Sequence, residues 1–173
     1  MNASDRRDIL LDRLADHMLA HGIGASSLRT LARAAGTSDR MLLYYFRDKN
    51  DLVEAALARI AERFTGSLDT FAPPRPLPLD GLLAHLGPIL LDEDGWPYMR
   101  IWLEIASRAA NGDPACRSAG EMIGRGFHAW GSAHLDSRPD RRDRDAARLF
   151  ATVEGMVLLK ALGLEEISRI AAG

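Results

Sequence analysis

The chain has 173 residues, 47% of them apolar, enough for one domain or two small ones sharing a core and too apolar for a disordered chain. Its formal net charge is −2, and a single cysteine, Cys116, excludes an internal disulfide framework and a multi-cysteine metal site. No apolar run approaches the ~20 residues needed to cross a bilayer, and the opening M-N-A-S-D-R-R-D lacks the apolar stretch of a secretory signal, so the expectation is a cytoplasmic protein with no membrane partner.

The first helix is predicted from about Ser4 to His21. Leu10, Leu14 and Met18 make one stripe, widened by Leu11 and Leu19, while Asp8, Asp12, Arg13 and Asp16 fall on the outer face. Ser4 or Asp5 can cap it, and Gly22 ends it. Arg6 and Arg7 suit either a phosphate or a solvated tail.

Ser26 to Lys49 is the most informative stretch. Ser26 and Ser27 are N-cap residue types ahead of Leu28, Leu31, Ala32 and Ala35, which recur at helical spacing. Gly36 suits a left-handed helix stop, because it has no Cβ to clash. Thr37 and Ser38 can cap a second helix that begins near Asp39 and carries Met41 to Phe46. Two short helices joined by a tight glycine turn are the sequence form of a helix-turn-helix, whose second helix lies in the DNA major groove.

The residue types suit that task. Arg40 offers a planar fork of donors to guanine edges or a phosphate. Ser26, Ser27, Thr37 and Ser38 place short donors at helix N-termini, which favour anions. Tyr44 and Tyr45 can donate phenolic hydrogens to phosphate oxygens, and Lys49 is placed to clamp a phosphate. Arg29 and Met41 complete the candidate DNA contacts. Residues 1–50 hold eight Lys/Arg against six Asp/Glu, whereas residues 51–173 hold fourteen against eighteen, so the positive end is the one that duplex phosphates need. From pattern alone, the same caps and polar face also suit an ordinary small helical bundle.

Leu52, Val53, Ala56, Leu57, Ile60 and Phe64 predict a longer helix running to about Leu68. The proline-rich Ala72–Pro78 segment reads as a rigid connector. A helix comes next over Leu79–Leu91, with Pro88 expected to kink it or end it early, and another over Trp96–Ala110. Cys116–Leu135 is dotted with glycines, which cost helix propensity and whose compensating use is close approach of another helix, expected from a second subunit. Asp140–Gly163 is apolar on most sides and therefore needs a partner, most simply an isologous dimer. Leu164–Gly173 reads as a short terminal helix or frayed tail. The fold class is thus all-α.

No enzyme motif is present: no glycine-rich phosphate loop, no nucleophile elbow and no zinc spacing. No catalytic residues, metal ligands or cofactors are therefore assigned. His17 and His21 lie one helical turn apart without an obvious third ligand, and Cys116 reads as a structural rather than a redox-sensing thiol.

The segment from Gly22 to Leu52 resembles the DNA-binding domain of the TetR family of one-component transcription regulators. The resemblance rests on Gly22, Ser26-Ser27, Leu31-Ala32, Ala35-Gly36-Thr37-Ser38, Tyr44-Tyr45-Phe46, Lys49 and Leu52. It departs at Thr37, where the family has Val, at Arg40 and Met41, where Gly and a small residue are common, and at Leu43, where the family often has a phosphate-touching Tyr. The resemblance implies an N-terminal three-helix DNA-binding domain over residues 1–48 and a helical effector-binding and dimerisation domain over 49–173. It implies a repressor that binds a near-palindromic operator as a homodimer, through helices near 115–135 and 140–163, and is released by a small-molecule effector. The helix after Lys49 would link the two domains. His85, Trp96, Met99, Trp102, Met122 and Phe127 are the candidate pocket residues, with Arg100 and Glu104 as polar determinants if they face inward. The alternative is a helical small-molecule-binding protein or enzyme with a vestigial helix-turn-helix; a third reading is an architectural DNA binder with no effector.

Overall fold

The computed structural model describes residues 3–24 and 27–172, and among them the chain is all-α. The helices are α1 (Ala3–His21), α2 (Leu28–Ala34), α3 (Asp39–Tyr45), α4 (Lys49–Ser67), α5 (Leu79–Leu90), α6 (Trp96–Ala110), α7 (Pro114–His134), α8 (Arg142–Ala161) and α9 (Glu165–Ala172), with a 3₁₀ turn over Leu68–Phe71. The described residues form two compact units, 1–63 with 101–120, and 64–100 with 121–173. The boundaries fall inside α4, α6 and α7.

In the first unit, α1 buries Leu10, Leu11, Leu14, Ala15 and Met18, the stripe its periodicity predicts. The acids assigned to its outer face are not merely solvated. Arg59 on α4 reaches Asp8 at 2.9 Å and Asp12 at 3.4 Å. Arg63, one turn on, reaches Asp12 at 2.8 Å and Asp16 at 2.7 Å. Partial burial opposes the charge on Arg63, but the Asp16 and Asp12 carboxylates hold its pKa above the usual value. This ladder ties α1 to α4 beside their shared apolar seam. The Ser4 side chain, offered as a cap for α1, lies outside the described residues.

In the second unit, α5 packs on α8 and both meet α9. Pro88 does not end α5 early; the helix continues to Leu90. The carbonyl that loses its donor to Pro88 belongs to exposed Ala84, where water satisfies it. The proline-rich connector is pinned rather than loose: the Leu77 amide donates to the His134 carbonyl at 3.0 Å, and the Asp136 amide donates to the Leu77 carbonyl at 2.8 Å.

The glycines of α7 have a different use from the one expected. A Cβ on Gly126 would meet Thr65 of α4 at 2.5 Å, one on Gly131 would meet Leu149 of α8 at 2.7 Å, and one on Gly124 would meet Phe150 at 3.3 Å. These glycines are consumed by close packing within the chain, because α4 and α8 press on α7 from the same subunit.

Gly36 carries the one backbone conformation on which the α2–α3 turn depends. Its φ of +69° is left-handed, and an added Cβ would meet Arg13 Nη1 at 2.8 Å. Gly36→Ala is expected to cost roughly 1–2 kcal/mol of strain, read as a fall in Tm of about 2–8 °C in thermal unfolding.

Candidate functional site

The second short helix is held by local and distant bonds. The Ser27 hydroxyl accepts from the Thr30 amide at 3.1 Å and caps α2; the Ser38 hydroxyl accepts from the Met41 amide at 3.3 Å and caps α3. Between them, Arg13 donates from Nη1 to the Ala35 carbonyl at 2.8 Å, so α1 grips the turn at a carbonyl the helix end leaves free. Leu31, Ala32, Ala35, Leu42 and Phe46 are buried, and the Arg7 guanidinium covers the Phe46 ring at 5.1 Å.

With Leu42 turned inward, the other side of α3 faces solvent. Tyr44 is 75% exposed, Leu43 46% and Met41 42%, and Arg40 is exposed beside them. Tyr45 is half-buried and meets the Tyr44 ring edge-on at 5.0 Å. Apolar and aromatic side chains left uncovered on a seven-residue helix mark a contact surface. Between Ser27 and Asn50 five Lys/Arg face two Asp, so the surface around it is cationic. Arg29 and Lys49 are exposed as well. Thr37 is half-buried and Ser38 exposed at the start of α3. Ser26 lies outside the described residues.

Arg47 is less available than its exposure suggests. Its amide donates to Asp51 Oδ2 at 2.9 Å and its guanidinium to Oδ1 at 3.0 Å, which holds the Asp51 carboxyl below the usual carboxylate range. The Asp48 carboxylate meanwhile accepts from the Asp51 amide at 2.9 Å and starts α4, so Lys49 sits in a fixed first turn.

The chain ahead of α2 is fastened by a residue the periodicity offered to a ligand. Glu104 on α6 accepts the Ile23 amide at 2.8 Å and the Gly24 amide at 2.9 Å. Arg108 supports the same carboxylate at 3.6 Å and reaches Asp113 at 3.4 Å. Glu104 is therefore a clamp on the segment between α1 and α2, because two backbone donors claim both its oxygens. Asp113 in turn caps α7 by accepting from the Cys116 amide at 3.1 Å, a bond that holds its pKa down.

In the second unit a cavity of about 280 Å³ opens beside the ends of α4 and α5. Phe64, Phe71 and Tyr98 give it aromatic walls, Ile89, Leu90 and Met99 aliphatic ones, and Ser67, Asp92 and Asp94 its polar groups. Of the side chains expected to line a pocket, this cavity takes Met99. His85 lies just behind it, donating from Nε2 to the Phe71 carbonyl at 2.9 Å. Trp96 is covered by the Lys160 ammonium, 4.9 Å from its ring. Trp102 lies beside Gly120 in the first unit, Met122 is 41% exposed, and Phe127 is core, stacked on Trp130 at 5.9 Å and meeting Phe150 at 5.6 Å. The loop acids Asp92 and Asp94 have no periodicity, so no sequence signal marked them.

Among the described residues no cluster of three or more His, Cys, Asp or Glu is placed to hold a metal ion, and no helix is long and apolar enough to cross a membrane. His17 and His21 stack at 4.4 Å, and His21 Nδ1 is spent on the His17 carbonyl at 3.0 Å.

Residues 10–56 match the model of a family described as bacterial regulatory proteins, tetR family. A Pseudomonas fluorescens protein, the HTH-type transcriptional regulator BetI, is 30% identical over 103 residues, covering 57% of this chain and 51% of that protein. The match thus spans about half the length of that curated relative. A transcriptional regulator from Rhodococcus sp. Rha1 superposes with a TM-score of 0.73 at 23% identity, over 99% of this chain and 92% of its own. The multidrug binding protein EbrR, complexed with proflavin, superposes with a TM-score of 0.69 at 24% identity, over 96% of this chain and 97% of its own. At these identities the two superpositions establish the fold.

Glu104→Ala strands the Ile23 amide and should lower the unfolding free energy by about 1–3 kcal/mol, with faster amide exchange at Ile23 and Gly24; Glu104→Gln, which keeps one acceptor, should fall between. Cys116 is buried, and burial with the nearby Asp113 pushes its thiol up to about 11. Thiolate is the reactive form, so iodoacetamide should label the native protein slowly at pH 8 and faster as pH rises toward that value.

Proposed function

Because this chain belongs to the TetR family of bacterial regulatory proteins, we propose that it is a transcriptional repressor that binds a near-palindromic operator as a homodimer. In this reading residues 1–48 bind DNA and residues 49–173 carry the effector site and the dimer face. The observation that carries it is the outward face of α3: Arg40, Met41, Leu43 and Tyr44 exposed on a capped helix whose inward residue is Leu42. Arg40 supplies a fork for base or phosphate oxygens. Met41 and Leu43 offer apolar contact to a thymine methyl, and Tyr44 donates to a phosphate. Arg29, Thr37, Ser38 and Lys49 flank that face and bind backbone phosphates, which set register without reading sequence. Leu43 stands where relatives often place a Tyr, so Tyr44 carries more of the phosphate contact here.

The dimer is supported by a face of α8 that the chain leaves open. Ala151, Gly155, Leu158 and Leu162 recur at helical spacing; Leu158 is 50% exposed and Leu162 63%, and nothing lies within 4 Å of where a Gly155 Cβ would be. Met122 on α7 adds to the apolar surface available to a second copy.

The effector site in this reading is the cavity walled by Phe64, Phe71, Tyr98 and Met99. The fold shared with EbrR, a multidrug binding protein seen with proflavin and with ethidium, supports a small-molecule ligand in such a body. Ligand and operator would compete through the spacing of two reading helices, since half-sites fix that spacing.

Selection of bound duplexes from a random pool should return a two-fold-related site. On it, Arg40→Ala should weaken binding by about 1–3 kcal/mol, and Lys49→Ala should lower the salt slope by about 1. Tyr44→Ala should weaken binding with Tm unchanged, because its side chain covers nothing in the fold. Wild-type affinity in all three variants would remove α3 as the reading helix, and selection of no specific sequence would favour the vestigial alternative.

A further inference from the structure

The cavity walls have a chemistry that selects among ligands, and the inference drawn from it rests on the effector reading of the same site. We propose that the cavity takes an organic cation with an aromatic or branched-alkyl body. Its volume of about 280 Å³ lies at the small end of the ~300–1,000 Å³ range of ligand pockets, which suits a compact molecule. Three rings, Phe64, Phe71 and Tyr98, give aromatic surface to an apolar body, and Phe64 and Tyr98 already sit together with centroids 6.2 Å apart. Aromatic faces attract a cation within about 6 Å, and most strongly one that sheds its water easily, as a quaternary nitrogen does.

The polar groups of the wall carry the sign. Among the described residues, Asp92 and Asp94 line the cavity and no basic side chain does. Asp92 spends Oδ1 on the Gly95 amide at 2.6 Å, which fixes its carboxylate at the rim. Among the described residues neither aspartate has an ion-pair partner. The nearest ammonium placed by the fold, Lys160, is turned to the Leu91 carbonyl and the Trp96 ring. The Ser67 hydroxyl spends its proton on the Phe64 carbonyl at 2.8 Å, so it too presents an acceptor. An anion would meet acceptors and carboxylates here. A cation meets two carboxylates and three rings.

The test compares probes of one shape. Phenyltrimethylammonium and tert-butylbenzene differ by one charge, and benzoate supplies the opposite sign. In isothermal titration of the full chain, phenyltrimethylammonium should bind at least tenfold tighter than tert-butylbenzene, and benzoate weakest. Asp94→Asn, at an exposed position, should lower the cation's affinity several-fold and leave the neutral probe unchanged. Adding Asp92→Asn, which retains the oxygen that caps Gly95, should erase the gap. Tyr98→Ala should weaken both probes. Equal binding of the charged and neutral probes, tightest binding of benzoate, or a cation preference that survives both substitutions would overturn the proposal. Operator binding measured with each probe keeps the two readings apart. A cation preference without any change in operator affinity would sink the effector reading and keep the cavity's selectivity. Operator release by the neutral probe as readily as by the cation would do the reverse.

Discussion

The reading helix is too short to stand alone, and that constraint organises the first unit. Seven residues give α3 few internal hydrogen bonds, and an isolated helix of that length does not persist in water. Its geometry is therefore borrowed. Leu42 and Phe46 anchor it from below, Ser38 caps it, and Arg13 fastens the preceding turn through the Ala35 carbonyl. Only because these bonds are made elsewhere can Arg40, Met41, Leu43 and Tyr44 be left unused by the fold.

The same economy extends outward. Arg13 can reach Ala35 because α1 is fixed, and α1 is fixed by its buried stripe and by the two arginines of α4 that bridge Asp8, Asp12 and Asp16. Exposed ion pairs are worth little singly. Here four contacts share two guanidiniums, and they set the rotation of one helix about another, which apolar packing alone specifies loosely. Glu104 does the corresponding job for the strand of chain ahead of α2, holding two amides that no helix satisfies. The cavity in the second unit obeys the opposite rule: its carboxylates at 92 and 94 are left without ion-pair partners among the described residues, which is costly unless water or a ligand supplies them.

What could be read from the sequence was local. Ser38 as a cap, Gly36 as a left-handed stop and Leu42 as the inward residue each come from neighbours within one turn, and the structure places them so. The α1 stripe was equally legible, since periodicity reports which face is buried. Periodicity does not report what a face meets. It put Asp8, Asp12 and Asp16 on the outside without their arginines, which lie about fifty residues later. It offered Glu104 to a ligand although two amides eighty residues earlier claim it. It took the α7 glycines as a surface for another subunit, when Thr65, Leu149 and Phe150 of the same chain fill the space. The cavity was the least legible feature, because its acids stand in an irregular loop where no period operates.

Amide hydrogen exchange on the full chain, with and without a selected duplex, tests most directly whether the borrowed helix is the one that meets DNA. Slowed exchange from Ser38 through Phe46 on adding duplex, with little change across α5 and its loop to α6, is the predicted result. Protection centred elsewhere, with the amides of α3 indifferent to the duplex, would contradict it.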